Sequence, residues 1–277
     1  MRNFLAVLIL GLTVMSCGPA PETVKPPVRT LPDTREELYK VGRQFYLDRS
    51  YDSAEVYLKK AYAMDASYLA PLAELAEMHY ALGVQEKGEK NPNRLDHFRK
   101  SFGYFVRLES HGAGDTGTLE RLGELSNALD DNKAFVKYAK KNAELYPYER
   151  QYFNLGLAYF QSGDFPGVIR TEKEAIEKFK GSTYTGSFYR QMGRAYMKID
   201  RDQTAERTFD NGLKAVEDVI SDRGKTDASF RSTEEYHRLV DDKIGMLVSL
   251  RTLHQTYRAS EKLRNVEQQL KDLGYEK

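Results

Sequence analysis

Between residues 149 and 219 the large apolar side chains fall in two copies of one spacing. Tyr152, Leu155, Gly156 and Tyr159 hold positions 4, 7, 8 and 11 of the first copy. Tyr189, Met192, Gly193 and Tyr196 hold the same positions of the second. Gly163, Phe165 and Ala175 follow in one copy, and Ala205, Phe209 and Gly212 in the other. With about 3.6 residues per turn, such a set lies on one face of a helix. The large residues form a ridge, and the glycine leaves a notch where a second helix can approach to about 8–10 Å. The pattern predicts a helix–turn–helix unit, repeated. One unit cannot bury its apolar face alone, so copies must stack.

The same register extends toward the N-terminus. Leu38, Val41, Gly42 and Phe45, then Ala54, Leu58 and Ala61, mark a first unit over 35–68, with Asp33 or Thr34 as its cap and Glu36 and Glu37 in its first turn. Leu72, Leu75, Ala76 and His79 begin a second unit over 69–110. A polar insertion, Val84 to Asn93, interrupts it, and a helix from Arg94 to Glu109 follows. After the Gly-rich stretch His111 to Thr118, a third unit spans 116–148 with Leu119, Leu122, Gly123, Phe135 and Ala139. The two units described first occupy 149–182 and 186–219. Ser221 to Ser232 reads as a polar break. Two further helices, near 233–251 and 256–273, read as a cap over 220–277 or a degenerate sixth unit.

The spacing at positions 4, 7, 8, 11, 20, 24, 27 and 32 resembles the tetratricopeptide repeat, a helix–turn–helix of about 34 residues. The likeness covers about 34–219, as roughly five repeats. It implies an all-α, right-handed α-solenoid whose first helices line a concave groove for peptides or partner proteins. The usual Trp at position 4 is replaced by Leu or Tyr.

The N-terminus carries a different signal. Arg2 precedes an apolar run from Phe4 to Val14, too short to span a bilayer as a mature helix. Val14-Met15-Ser16-Cys17 follows and resembles a bacterial lipoprotein signal, with Cys17 as the lipidated residue and 1–16 removed. Gly18 after the cysteine leans toward the outer membrane under enteric-type sorting. Residues 17–33 hold five of the nine prolines and read as an extended tether. Together these features look like envelope lipoproteins with such repeats, among them pilotins of type IV pilus assembly and a subunit of the outer-membrane barrel-assembly machine. The expected location is the periplasmic side of a membrane, held by acyl chains.

Composition narrows the rest. Lys plus Arg is 42 against 41 Asp plus Glu, so the basic excess usual for a nucleic-acid binder is missing. Cys17 is the single cysteine, which excludes internal disulfides and multi-cysteine zinc sites. No cofactor, metal or small-molecule substrate is predicted. Gly112-x-Gly114-x-x-Gly117 spells a dinucleotide fingerprint but follows a helix rather than a strand. The five histidines lack helical metal spacing, and His79 reads as packing at position 11. The adjacent pairs Asp130-Asp131 and Asp241-Asp242 do not face each other on a helix. Catalysis is not indicated.

By the repeat resemblance, the groove carries Tyr39, Arg43 and Tyr46 from unit one; Tyr80 from unit two; Glu124 and Asn127 from unit three; Arg150, Phe153, Leu157 and Phe160 from unit four; and Arg190, Arg194 and Met197 from unit five. Phe153, Leu157 and Phe160 form a second apolar face, which either packs on the next unit or binds. The three arginines beside it suit a partner with apolar anchors and a carboxylate, or they pair with nearby glutamates.

Overall fold

The computed structural model describes residues 32–275. The candidate signal, Cys17 and most of the tether lie outside them. Among the described residues, twelve α-helices follow one another in antiparallel pairs: α1 (Arg35–Leu47) with α2 (Tyr51–Met64), α3 (Ala70–Gln85) with α4 (Pro92–Ser110), and α5 (Thr116–Ala128) with α6 (Asn132–Leu145). α7 (Glu149–Ser162) pairs with α8 (Phe165–Lys178), α9 (Thr185–Lys198) with α10 (Asp202–Thr226), and α11 (Glu234–Thr256) with α12 (Ser260–Asp272). Each pair also packs on the next, α2 on α3 through α10 on α11. Among the described residues there is no strand, and the molecule is an all-α solenoid.

The notch glycines explain how each pair closes. A Cβ on Gly42 would press on the Leu58 side chain at 2.9 Å and on its backbone nitrogen at 3.0 Å. A Cβ on Gly193 would overlap the Phe209 ring. Without those side chains, the second helix seats Leu58 or Phe209, both fully buried, directly against the first helix. The turns share one device. Arg49, Asp130, Gly163, Asp200 and Arg258 all adopt left-handed φ, between 54° and 81°, at the bend of their helix pair. The α11–α12 pair therefore uses the same turn as the α1–α2, α5–α6, α7–α8 and α9–α10 pairs, while α3 and α4 are joined by a longer loop. At the start, Thr34 accepts from the Glu37 backbone while Glu37 reaches back to the backbone of Asp33 and Thr34, a capping box.

Boundaries near the C-terminus differ from the sequence reading: α11 runs on to Thr256, where the sequence predicts the second of the two last helices to begin, and that helix starts at Ser260. The polar run from Ser221 does not end α10, which continues to Thr226. Apolar burial stops near Val219, but the backbone ladder does not need it. The Thr226 hydroxyl donates back to the Asp222 and Arg223 carbonyls, and Lys225 pairs with Asp222. The break shrinks to Asp227–Thr233, where the buried ring of Phe230 pins a short 3₁₀ turn into the core.

Candidate partner-binding groove

The first helices of the pairs are not evenly spaced. α7 packs on α9 and α9 on α11, whereas neither α3 and α5 nor α5 and α7 pack as closely; α5 and α7 are bridged by side chains, Gln151 Nε2 donating to Glu120 at 2.8 Å. A cavity of about 140 Å³ fills that gap. Glu120, Glu124 and Asn127 of α5 line it, as do Arg150, Gln151, Asn154 and Leu157 of α7; Asn142 reaches in from α6. Four predicted groove residues (Glu124, Asn127, Arg150 and Leu157) thus share one cleft. Its volume suits one side chain, below the ~300 Å³ lower bound of small-molecule sites.

Glu124 is the electrostatic centre. It accepts from the Tyr80 hydroxyl at 3.1 Å and from Arg121 Nη1 at 2.8 Å, with Arg150 Nη2 at 3.7 Å. The Arg121 guanidinium lies 3.9 Å from the centre of the Tyr80 ring and also reaches Glu77. Burial, and then the Glu124 charge, push the Tyr80 hydroxyl above its ordinary pKa. One chain of contacts therefore links α3, α5 and α7. Arg121 is a member that the repeat register did not nominate, because its position faces the neighbouring unit's first helix.

A second, smaller set lies on the first repeat. The Tyr39 hydroxyl donates to Glu74 at 3.4 Å, and Arg43 stands 3.9 Å from the same carboxylate while remaining exposed. Tyr46 is half-buried against Tyr51.

The apolar face of α7 divides. Leu157 lines the cleft. Phe153 sits 5.9 Å from the Tyr184 ring, and its carbonyl accepts from Gln191, so it packs on the next repeat. Phe160 meets Phe165 edge-on at 5.4 Å, and the Arg194 guanidinium covers it at 4.7 Å. The three arginines do not act together. Arg150 faces Glu120 and Glu124 at 3.8 and 3.7 Å. Arg190 turns toward α11, with Nε 3.2 Å from the buried Asp242 carboxylate, because Gly245 leaves room for its side chain. Met197 is half-buried against the core built by α9–α12. Arg190 and Met197 therefore join repeats rather than face a partner. Arg194 stays on the groove side, and burial followed by the Arg190 charge lowers its pKa.

Two features were not visible in the repeat pattern. Glu172 is fully buried, and neither carboxylate oxygen has a hydrogen-bond partner. It fills the notch left by Gly156, close to the unpartnered Gln191 Oε1. Burial raises its pKa well above the ordinary carboxylate value, which favours the protonated form. It occupies position 24, where Leu58 and Phe209 sit in other units; comparison within the register would have exposed it. The second feature is a cavity of about 650 Å³ between the α9–α10 turn and the α11–α12 turn. Its polar groups already pair with one another: His254 and Lys262 with Glu206, and the Tyr257 hydroxyl with Asp202. Among the described residues, no group of three or more His, Cys, Asp or Glu side chains could hold a metal ion. No described helix is long and apolar enough to cross a membrane.

Against solved structures, the chain is similar to MamA, with a TM-score of 0.50 and 17% identity over 66% of this chain and 92% of that one. The fold is a tetratricopeptide-type solenoid. YrrB, described as a TPR protein with an unusual peptide-binding site, aligns with a TM-score of 0.49 and 13% identity over 65% of this chain and 84% of that one. No protein-family profile matches the chain. A stretch of 68 residues is 34% identical to protein O-mannosyl-transferase tmtc2 of Xenopus laevis and 32% identical to TMTC2 of Homo sapiens. That stretch is 24% of this chain and spans only 8% of those proteins, the length of about two repeat units.

Proposed function

We propose that this chain is a lipid-anchored interaction scaffold of the bacterial cell envelope, tethered through Cys17 and facing the periplasm, more readily from the outer membrane than the inner. Its partner is a protein segment that lays one side chain into the α5–α7 cleft. The observation that carries this reading is the cleft itself. Two first helices stand apart, and between them converge amide side chains (Asn127, Asn142, Asn154), the Leu157 wall and the partly neutralised Arg150. Such a lining suits main-chain amides plus one apolar anchor. Arg194 over Phe160 offers a cation for a carboxylate further along the groove.

The scaffold reading is tested by in-cell crosslinking and detergent extraction of tagged protein. Asn154→Ala combined with Arg194→Ala should remove the captured partner while leaving the melting temperature within a few degrees. Unchanged capture would remove the groove from consideration. A single stoichiometric partner would recast the scaffold as a dedicated assembly subunit. Anchoring is tested separately: Cys17→Ser should abolish labelling by a fatty-acid analogue and release the protein from membranes.

A further inference from the structure

The second repeat brings together two histidines that lie on different helices. His79 of α3 is buried and His97 of α4 is half-buried. Their Nδ1 atoms are 3.1 Å apart and their ring centres 5.4 Å apart. Those two distances put both nitrogens on the line between the rings, so the imidazoles meet edge to edge. One Nδ1 must carry a proton and the other must accept it. The surroundings select which. His79 Nε2 has no hydrogen-bond partner but lies 3.7 Å from Glu55 Oε1 of α2, which favours a proton on that nitrogen. His79 Nδ1 is then the acceptor, His97 Nδ1–H the donor, and His97 Nε2 the unprotonated nitrogen of that ring.

We propose that the His79–His97 pair is a proton-operated latch on the α3–α4 hairpin, closed while the two rings share one proton and sprung when a second arrives. A second proton on His79 would occupy Nδ1, set it head to head with the His97 Nδ1–H at hydrogen-bond distance, and place one cation in the buried side of the hairpin, so that His97 must give up its Nδ1 proton or turn away. The groups facing His79 make that costly. From α2 come Glu55, which favours the charge, and Lys59, which opposes it; from α4 come His97 and Lys100, which also oppose it, together with Asp96 beside His97. The Tyr104 ring lies parallel to His79 at 5.8 Å and closes the remaining side. Burial and these neighbours hold His79 down to about 4. A resident metal is disfavoured by the same surroundings, since only two imidazoles converge there and two lysines stand nearby. His79 immediately precedes Tyr80, whose hydroxyl donates to Glu124 on the α5 wall of the cleft, so opening the hairpin would remove a support of that wall.

The sign follows from linkage. A histidine with a depressed folded-state pKa contributes stability above its ordinary value of about 6.5 and loses it as pH falls toward 4. The test compares the whole protein with His97→Gln, which keeps an acceptor for a protonated His79 but cannot itself be protonated. Urea unfolding should give matching stabilities at pH 7.5. At pH 5 the unfolding constant of the unsubstituted protein should exceed that of the variant by roughly two- to threefold, a partial relief because the burial of His79 remains. Taking the difference at each pH cancels the titrating groups common to both proteins and leaves those of the histidine pair. Imidazole ¹⁵N spectra of the unsubstituted protein need no variant and should show a histidine titrating below pH 5. A stability difference that does not change with pH, or no histidine titrating below pH 5, would overturn the latch. So would a zinc chloride-induced rise in stability that His97→Gln abolishes, since that would make the pair a metal site.

Discussion

At the residue scale, the protein keeps a buried carboxyl group where a hydrocarbon would serve. Glu172 takes the place that Leu58 and Phe209 hold elsewhere, and its oxygens face Gly156 and the Gln191 amide oxygen without a hydrogen bond. Because its folded-state pKa is raised, its contribution to stability is complete below the ordinary carboxylate pKa and is lost as pH rises. Glu172→Gln supplies a donor for Gln191 and cannot ionise. The variant should be more stable than the unsubstituted protein by about 1–3 kcal/mol at pH 8 and nearly equal to it at pH 4.5. Urea unfolding at the two pH values checks this, and a gain of equal size at both would show that proton linkage is not the cause. The amphipathic pattern of α8 alone hides such a residue, since one glutamate barely alters it; only comparison of position 24 between units brings it out. The His79–His97 contact is hidden differently: the residues belong to separate helices, and sequence spacing gives no register across a loop of uncertain length.

At the scale of the element, the glycines were the most legible feature and also the most discriminating. Gly193 and Gly103 are both helical, but only Gly193 faces its partner helix. An added methyl there would meet the Phe209 ring, whereas at Gly103 it would meet nothing within 4 Å. Gly193→Ala should cost about 1–3 kcal/mol through overpacking. Gly103→Ala should stabilise by about 0.5–1 kcal/mol, because alanine is the better helix former. Thermal melts of the two variants should shift in opposite directions; a shift in the same direction would refute the notch argument. The helix pairs were readable because ridge and notch repeat at fixed positions. The far end of α10 was not, because exposed helix is held by its own backbone and looks polar. The α5–α7 gap was also unreadable, since it depends on distances between units that share the same register. The Glu124 cluster spans that gap, but its members are partly exposed. Glu124→Ala should therefore cost less than about 1 kcal/mol by urea unfolding, and a loss near 3 kcal/mol would show that these ion pairs hold the repeats together.

At the scale of the whole molecule, the repeats are alike in geometry and unequal in what they bury. α1 buries only Leu38 and Gly42, and α2 buries Ala54, Leu58 and Ala61. At the other end, one apolar core runs through α9, α10, α11 and α12, with Phe209, Val216, Leu239, Met246 and Leu247 fully enclosed. Polar links reinforce it. The buried Asp242 accepts from the Ser187 hydroxyl and faces Arg190, and Arg238 of α11 donates to Thr183 just before α9. In a stacked chain, each unit depends on its own contacts and on those with its neighbours, so local opening should start where these are fewest. Amide hydrogen exchange should therefore be graded along the chain. Amides of α1 should open at a free energy about 2–3 kcal/mol below that of α9, roughly a hundredfold difference in protection. Removing α11 and α12 should erase the gradient, because α9 and α10 would lose the wall that encloses Val216 and Phe209. Equal protection from α1 to α11 in the full chain would mean that the repeats open together, and the groove could then not loosen at one end while the other holds.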